Sequence, residues 1–345
     1  MIARILVAIL ALAVLMVIHE SGHYFAARRY GMRVTAFSIG FGPTLWKHRP
    51  KGSATLFRVA LIPFLAYVQI AGLNPYEDVS PNDKESYANA SLWARVVTIA
   101  GGPLANYLFA SVLFFFGFVI GGVLEVDETS MKVSVRPGGP AAMAGMASGD
   151  RIVKVAGEPI GDWQHLIKVV GGHAGQKIEI EVEREGKTLT LSPTPGTEGD
   201  AKGKIMVGVP ARVVKVSVGR ALVLSVTEPP KVVQGVVKGL YRMVTGAEKP
   251  ELSGPVGIVK ETASAFEIGP DTALRFLGML CAYLAAFNLL PFPALDGGRL
   301  IFLGFEAASR RRADAKMEAK VHAVGLLMFV TLIAFVTYAD IFKKH

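Results

Sequence analysis

Cysteine is nearly absent: the 345 residues contain one, Cys281. A single thiol excludes an internal disulfide and any metal cluster built on cysteine sulfur, and in its apolar run Cys281 reads as packing. Charge is scarce too. Asp, Glu, Lys and Arg make up 19% of the chain against 51% hydrophobic residues, and the mean hydropathy is +0.41. That balance is too apolar for an ordinary soluble domain, and because the charges cluster it predicts membrane spans with an aqueous insert. A formal net charge of +9 would suit nucleic acid in a soluble protein. No nucleic-acid motif and no basic patch interleaved with aromatics is present, so no nucleic-acid partner is expected. The basic residues gather beside apolar runs, where positive-inside topology accounts for them. Internal repeats and low-complexity segments are missing.

What is present begins with an apolar run, unbroken from Ile5 to Ile18, that passes directly into His19-Glu20-Ser21-Gly22-His23. Residues four apart project from one helix face, so His19 and His23 can grip one ion while Glu20 beside them activates a water. Ionisable groups at membrane depth are costly unless paired or metal-bound, which makes them a functional signal there. The competing readings are a secretory signal or a soluble core helix with two satisfied histidines. A signal would show a small-residue cleavage site after its core; here Arg28-Arg29 follows instead.

The first span is expected over Ile2 to Tyr24, with His19 about 27 Å along it, near the far side of a hydrocarbon core about 30 Å thick. Arg28, Arg29, Arg33, Lys47, Arg49, Lys51 and Arg58 mark that side as cytoplasmic, with the N-terminus outside. Short β-type pieces at 34–39 and 55–60, broken by Gly40-Phe41-Gly42-Pro43, predict hairpins that dip into the membrane interface. The alternative is a plain connector; a strand edge near the metal would hold a substrate extended. A polar loop covers 74–89, and a second span is expected over Leu92 to Leu124. Its Ala100-Gly101-Gly102-Pro103-Leu104-Ala105-Asn106 segment reads as close helix packing, with Asn106 able to bond across helices.

From Glu125 an insert follows, placed outside by the topology. It runs through Val133-Ser134-Val135, Pro140-Ala141-Ala142, Gly149-Asp150-Arg151-Ile152, a helix over 163–170 and strands over 177–184 and 187–192, with a further strand at 204–209 edging a groove. Residues 218–244 read as an amphipathic stretch that lies on the membrane surface or against the other spans rather than crossing, interrupted at Pro229-Pro230. Leu252 to Ile258 makes a kinked lead-in to a third span over 272–290. That span ends in Asn288-Leu289-Leu290-Pro291-Phe292-Pro293-Ala294-Leu295-Asp296-Gly297-Gly298. Two prolines so close open the backbone, and the glycine pair is expected to let it turn. Asp296 then lies at the depth of His19 and His23. A helix cap or turn is one reading of it; a third metal ligand, leaving a fourth position for water, is the other and is favoured by the cost of the charge. Arg310, Arg311, Arg312, Lys316 and Lys320 mark a cytoplasmic loop before a last span over 321–338, which leaves 343–345 outside. His165, His173, His322 and His345 lack a partner motif and read as surface or packing residues.

These motifs together resemble the site-2 protease family of intramembrane zinc metalloproteases, in particular its bacterial regulator-of-sigma-E protease (RseP) type. The resemblance covers nearly the whole chain: 19–23, 102–106, 253–257 and 288–298, with an insert whose Pro-Ala-Ala-x-x-Ala-Gly and Gly-Asp-Arg-Ile resemble a bacterial PDZ domain. It implies zinc (Zn2+) held by His19, His23 and Asp296, Glu20 as general base, and substrate backbone held by Asn288, Pro291 and Pro293. One departure is that many proteases of this type carry two tandem PDZ domains, whereas the insert has length for one. The resulting expectation is a polytopic α-helical membrane protein of about four transmembrane helices with a membrane-associated β-hairpin region and an inserted α+β PDZ domain. Its parts are 1–125 (first membrane part), 126–212 (PDZ), 213–270 (amphipathic linker) and 271–345 (second membrane part). It would reside in the bacterial inner membrane with termini and PDZ domain outside and the site near the cytoplasmic face. Expected partners are the lipid bilayer, single-span membrane substrates such as anti-sigma-factor-like proteins or remnant signal peptides, and peptide C-termini at the PDZ domain. The rival readings are an inactive PDZ membrane scaffold and a metal transporter.

Overall fold

The computed structural model describes residues 2–74, 76–126, 130–197, 202–247 and 254–342. Leu252 and Ser253 of the lead-in and the tail at 343–345 lie outside them. In chain order run α1 (Ile2–Arg29), β1 (Val34–His48), β2 (Leu56–Ile70) and α2 (Leu92–Gly121). Next come β3 (Val123–Val126), β4 (Ser134–Val135), α3 (Pro140–Met143), β5 (Arg151–Val155), β6 (Glu158–Pro159), α4 (Trp163–Gly171), β7 (Ile180–Arg184), β8 (Lys187–Leu191), β9 (Val207–Gly208) and β10 (Ala211–Val214). The remainder is helical: α5 (Val218–Val244), α6 (Pro255–Ile268), α7 (Pro270–Asn288), α8 (Asp296–Ser309) and α9 (Ala315–Phe342). The chain divides into two compact units, Met1–Gly121 with Val216–His345, and Gly122–Lys215.

In the first unit three helices among the described residues are long and apolar enough to cross a membrane: Ala3–Arg29, Leu92–Gly121 and Lys316–Tyr338. α7, the expected third span, falls short of that test because Asp271 and Arg275 occupy its first turns; the two bond each other at 3.1 Å, and the Arg275 guanidinium lies over the Phe118 ring of α2. α1 and α2 cross at two glycines. A Cβ on Gly22 would run into the Gly101 carbonyl, and one on Gly101 would come within 2.7 Å of the Gly22 oxygen, so only glycine lets these backbones touch.

β1 and β2 pair antiparallel, and Ala36–Ile39 finds partners both in Leu56–Val59 and in Ala66–Gln69. The short β pieces expected from sequence are thus parts of two 15-residue strands. The first half of β1 is buried against α1 and α2, where Val34, Ile70, Ala27, Met32 and Ala94 form one core. Past Gly40 the strand is exposed, with Phe41, Leu45 and Trp46 each more than half open. Arg33 ties the following loop down through Asp83 at 2.6 Å and Glu85 at 3.1 Å, and this guanidinium holds the Asp83 carboxyl below the usual carboxylate range.

α5 departs from expectation: Pro229 and Pro230 lie inside one continuous helix. Each proline removes a ladder donor, but Ala221, Ser225, Pro229 and Val236 keep to one buried face. Burial along that face holds the helix through the prolines.

The second unit has a four-stranded antiparallel sheet in the order β6-β5-β7-β8 and a β4-β9 pair. Val133, Ile152, Val155, Leu166, Ile180 and Val182 fill its core. Asp150 pins this core: its buried carboxylate accepts from Arg184 Nε at 2.7 Å and Nη2 at 2.8 Å and from the Ala147 amide at 2.9 Å. The Arg184 guanidinium lowers the Asp150 pKa. A carboxyl with a folded pKa below its unfolded value of about 3.9 contributes stability above that pH and loses it as the pH falls through the folded value. Asp150→Asn is therefore expected to destabilise this unit by about 1–3 kcal/mol at neutral pH and to flatten its acid loss of stability. Hydrogen exchange of amides 145–185 in the full chain, followed from pH 7 to 3, measures both.

Candidate metal centre

The residues of the site are set by the α1–α2 crossing. Gly22 seats α1 on α2, and the His23 ring enters beside Gly102, where any Cβ would strike it. There Nδ1 lies 2.8 Å from the Thr98 carbonyl. A carbonyl can only accept, so Nδ1 carries the hydrogen and Nε2 of the neutral ring presents a lone pair. His19, one turn earlier, is buried with its Nδ1 3.4 Å from the Asn106 side-chain amide.

Asp296 comes from the other end of the chain, in the first turn of α8. The loop 289–295 folds back over that turn, with the Phe292 amide on Leu290 O at 2.7 Å and the Gly298 amide on Leu295 O at 3.1 Å. Gly297 and Gly298 do not make the turn that their sequence suggests. They are helical, and a Cβ on either would meet the loop carbonyls of Leu289 and Leu290 or of Phe292. The residue that does adopt a left-handed conformation is Ala294, at φ +76°.

His19 Nε2 lies 3.2 Å from His23 Nε2, and Asp296 Oδ2 lies 3.2 and 3.4 Å from the two imidazole nitrogens. The Asp296 Oδ2 atom is buried and has no hydrogen-bond donor among the described residues. Three lone-pair atoms so placed repel one another unless a cation lies among them. Ligands about 2.0–2.1 Å from a tetrahedral zinc are about 3.3–3.4 Å apart, so the donor types and the spacing both fit that ion. His19, His23 and Asp296 are thus able to hold one metal.

Asn106 makes the bond across helices expected of it, to His19 of α1, but its place at this site was missed by sequence reasoning. It is fully buried, and its Oδ1 lacks a partner among the described residues. With the amide turned end for end, Oδ1 accepts from His19 Nδ1–H, which satisfies that oxygen and leaves the His19 Nε2 lone pair for a metal. Only the helical register could have shown it, since Asn106 lies on the same face of α2 as Gly102, which receives His23. Asn106→Ala is expected to weaken metal binding by about 10–100-fold, read by chelator competition.

Glu20 Oε2 accepts from the Val68 amide of β2 at 3.0 Å. Val68 and its neighbours Tyr67, Gln69 and Ile70, with Arg299 of α8, line an open cavity of about 600 Å³. The remaining expected residues are not drawn into the cluster. Asn288 donates to Leu284 O of its own helix at 3.0 Å, Pro291 is exposed, and Pro293 packs beside Gly325 of α9.

A family model for peptidase family M50 matches residues 7–332. A putative zinc metalloprotease of Agrobacterium fabrum is 31% identical, over 96% of this chain and 94% of that protein. Zinc metalloprotease RasP of Geobacillus kaustophilus is 27% identical over 97% of each chain. Regulator of sigma-E protease RseP of Escherichia coli is 27% identical, over 96% of this chain and 97% of that one.

Proposed function

The chain belongs to peptidase family M50 and is an intramembrane zinc metalloprotease, and from that premise we propose that His19, His23 and Asp296 hold the zinc and Glu20 is its general base. The convergence of the α1 histidines with a carboxylate from α8, at ligand spacing and with no competing donor to Asp296 Oδ2 among the described residues, carries this reading. Zinc held there would polarise a scissile carbonyl and bring a water to hydroxide character near neutral pH. Glu20, with Oε2 anchored on Val68 N–H, keeps Oε1 to take the proton from the attacking water and return it to the leaving amine. Hydrolysis inside a bilayer requires an aqueous route, for which the open cavity beside Val68, the residue that holds Glu20, is the candidate.

The substrate is a single-span membrane protein, anti-sigma-factor-like or a remnant signal peptide, cut in or near the membrane. A peptide must be extended for attack, and the β2 segment next to Glu20 offers backbone groups for a strand laid along it. Asn288 and the Pro291–Pro293 segment, which lead into Asp296, hold the substrate backbone. α7 counts as a fourth span, its Asp271–Arg275 pair easing the burial of both charges. The exposed Phe41, Leu45 and Trp46 face lipid. Arg28, Arg29 and Arg310–Arg312 set the metal on the cytoplasmic side of the bacterial inner membrane, with the Gly122–Lys215 unit outside. That unit is a PDZ domain, and its apolar groove of about 250 Å³ between Leu166, Ile167 and Val170 of α4 and the Ile205–Val207 segment takes peptide C-termini.

The test is reconstitution in liposomes with a single-span substrate. Stoichiometric zinc and cleavage abolished by a chelator are expected. Metal flux without peptide products would make the chain a transporter, and a protein purified without metal or cleavage would make it a scaffold.

A further inference from the structure

The loop that delivers Asp296 is held from an unexpected quarter. His322, on α9, accepts from the Ala294 amide through Nδ1 at 3.0 Å. Its ring is mostly buried, and Nε2, which carries the hydrogen in this tautomer, has no hydrogen-bond partner among the described residues. Glu318 Oε1, one turn away, stands 3.9 Å off, too far for a hydrogen bond. The Phe302 ring of α8 lies alongside, 5.9 Å between centroids. Ala294 is a non-glycine residue in left-handed backbone, a conformation that persists only where surroundings impose it. Three residues on, Gly325 lets α9 press directly on the loop: a Cβ there would lie 2.7 Å from the Pro293 carbonyl carbon and oxygen. α9 thus grips two consecutive loop residues, Pro293 by contact and Ala294 by a hydrogen bond, just before the carboxylate that faces the histidines.

We infer that His322 is a positioning residue: by fixing the Ala294 amide it sets where the Asp296 carboxylate stands relative to His19 and His23, and so tunes metal affinity and turnover. The inference rests on the reading of Asp296 as a zinc ligand. The need is physical. A third ligand at the head of a helix is worth little unless the proline-flanked loop that leads into it has one conformation. A histidine serves where a carbonyl would not, because Nδ1 accepts from the amide while the ring fills the space against Phe302.

Four variants of the full chain in detergent test it, with zinc affinity read by chelator competition and kcat and KM by substrate cleavage. His322→Asn can present an amide oxygen where Nδ1 stands and is expected to stay within about 3-fold of wild type on both. His322→Gln, whose amide reaches past that point, and His322→Phe, which has no acceptor, are expected to lose about 10-fold in zinc affinity and a similar factor in kcat, with KM little changed. Wild-type affinity in the Gln and Phe variants, or an Asn variant as weak as the Phe one, would overturn the role. If the Phe variant does not fold, the Asn and Gln pair decides alone. Asp296→Ala separates the premise from the inference. If it keeps wild-type zinc affinity, the ligand reading falls. If it loses zinc while the His322 series stays flat, only the positioning role falls.

Discussion

Glu20→Gln is expected to bind zinc as the wild type does and to cleave substrate roughly 10²–10⁴-fold more slowly, the range that a positioned general base contributes. The substitution keeps the size of the side chain, and the amide oxygen still accepts from the Val68 amide, now bonded at 3.0 Å. What it removes is the second carboxylate oxygen as a proton acceptor. Because Glu20 stands outside the trio of metal donors, metal content should not fall with activity. A thousandfold loss corresponds to about 4 kcal/mol of transition-state stabilisation. Metal analysis and single-turnover cleavage on one preparation make the measurement, and a variant within about 3-fold of wild type would remove Glu20 as the base.

That Glu20 would leave the helix apart from the two histidines was legible in the sequence, because a helix turns about 100° per residue and neighbours at 19 and 20 cannot share a direction. The histidine pair was legible for the same reason. Asp296 was legible through the cost of a carboxylate at membrane depth, although no local pattern connects it to α1. The supports of the site were hidden. Thr98 acts through its carbonyl, which every residue has, and Asn106 and His322 matter through partners on other helices. Gly101 and Gly102 looked like generic small-residue packing, yet they are where α2 admits Gly22 and the His23 ring.

Local rules misled where burial overrides them. Two adjacent prolines argue for a break, but the buried face of α5 continues through them. A glycine pair argues for a turn, but Gly297 and Gly298 are helical and small because a loop crosses over them, while the left-handed backbone falls to Ala294. The β region looked like short pieces because its alternation is interrupted, and the pairing of Ala36–Ile39 on two sides is a tertiary fact that no periodicity encodes.

Asp296→Ala carries the second large effect. With the carboxylate gone, two imidazole nitrogens 3.2 Å apart remain as the only members of the trio. The four-coordinate arrangement typical of catalytic zinc needs three protein ligands and one open position. The expected loss of affinity exceeds about 100-fold, beyond what removal of an outer-sphere partner produces, and cleavage should fall with it. Asp296→Glu sharpens the comparison. It restores the charge on a side chain one methylene longer, which must find room under a loop already pressed against the first turn of α8. Partial recovery of zinc with little recovery of turnover would then show that the position of the carboxylate, and not its charge alone, makes the site catalytic. Chelator competition on the three proteins, alongside their single-turnover rates, gives that answer; equal zinc affinity in Asp296→Ala and wild type would dismantle the ligand set.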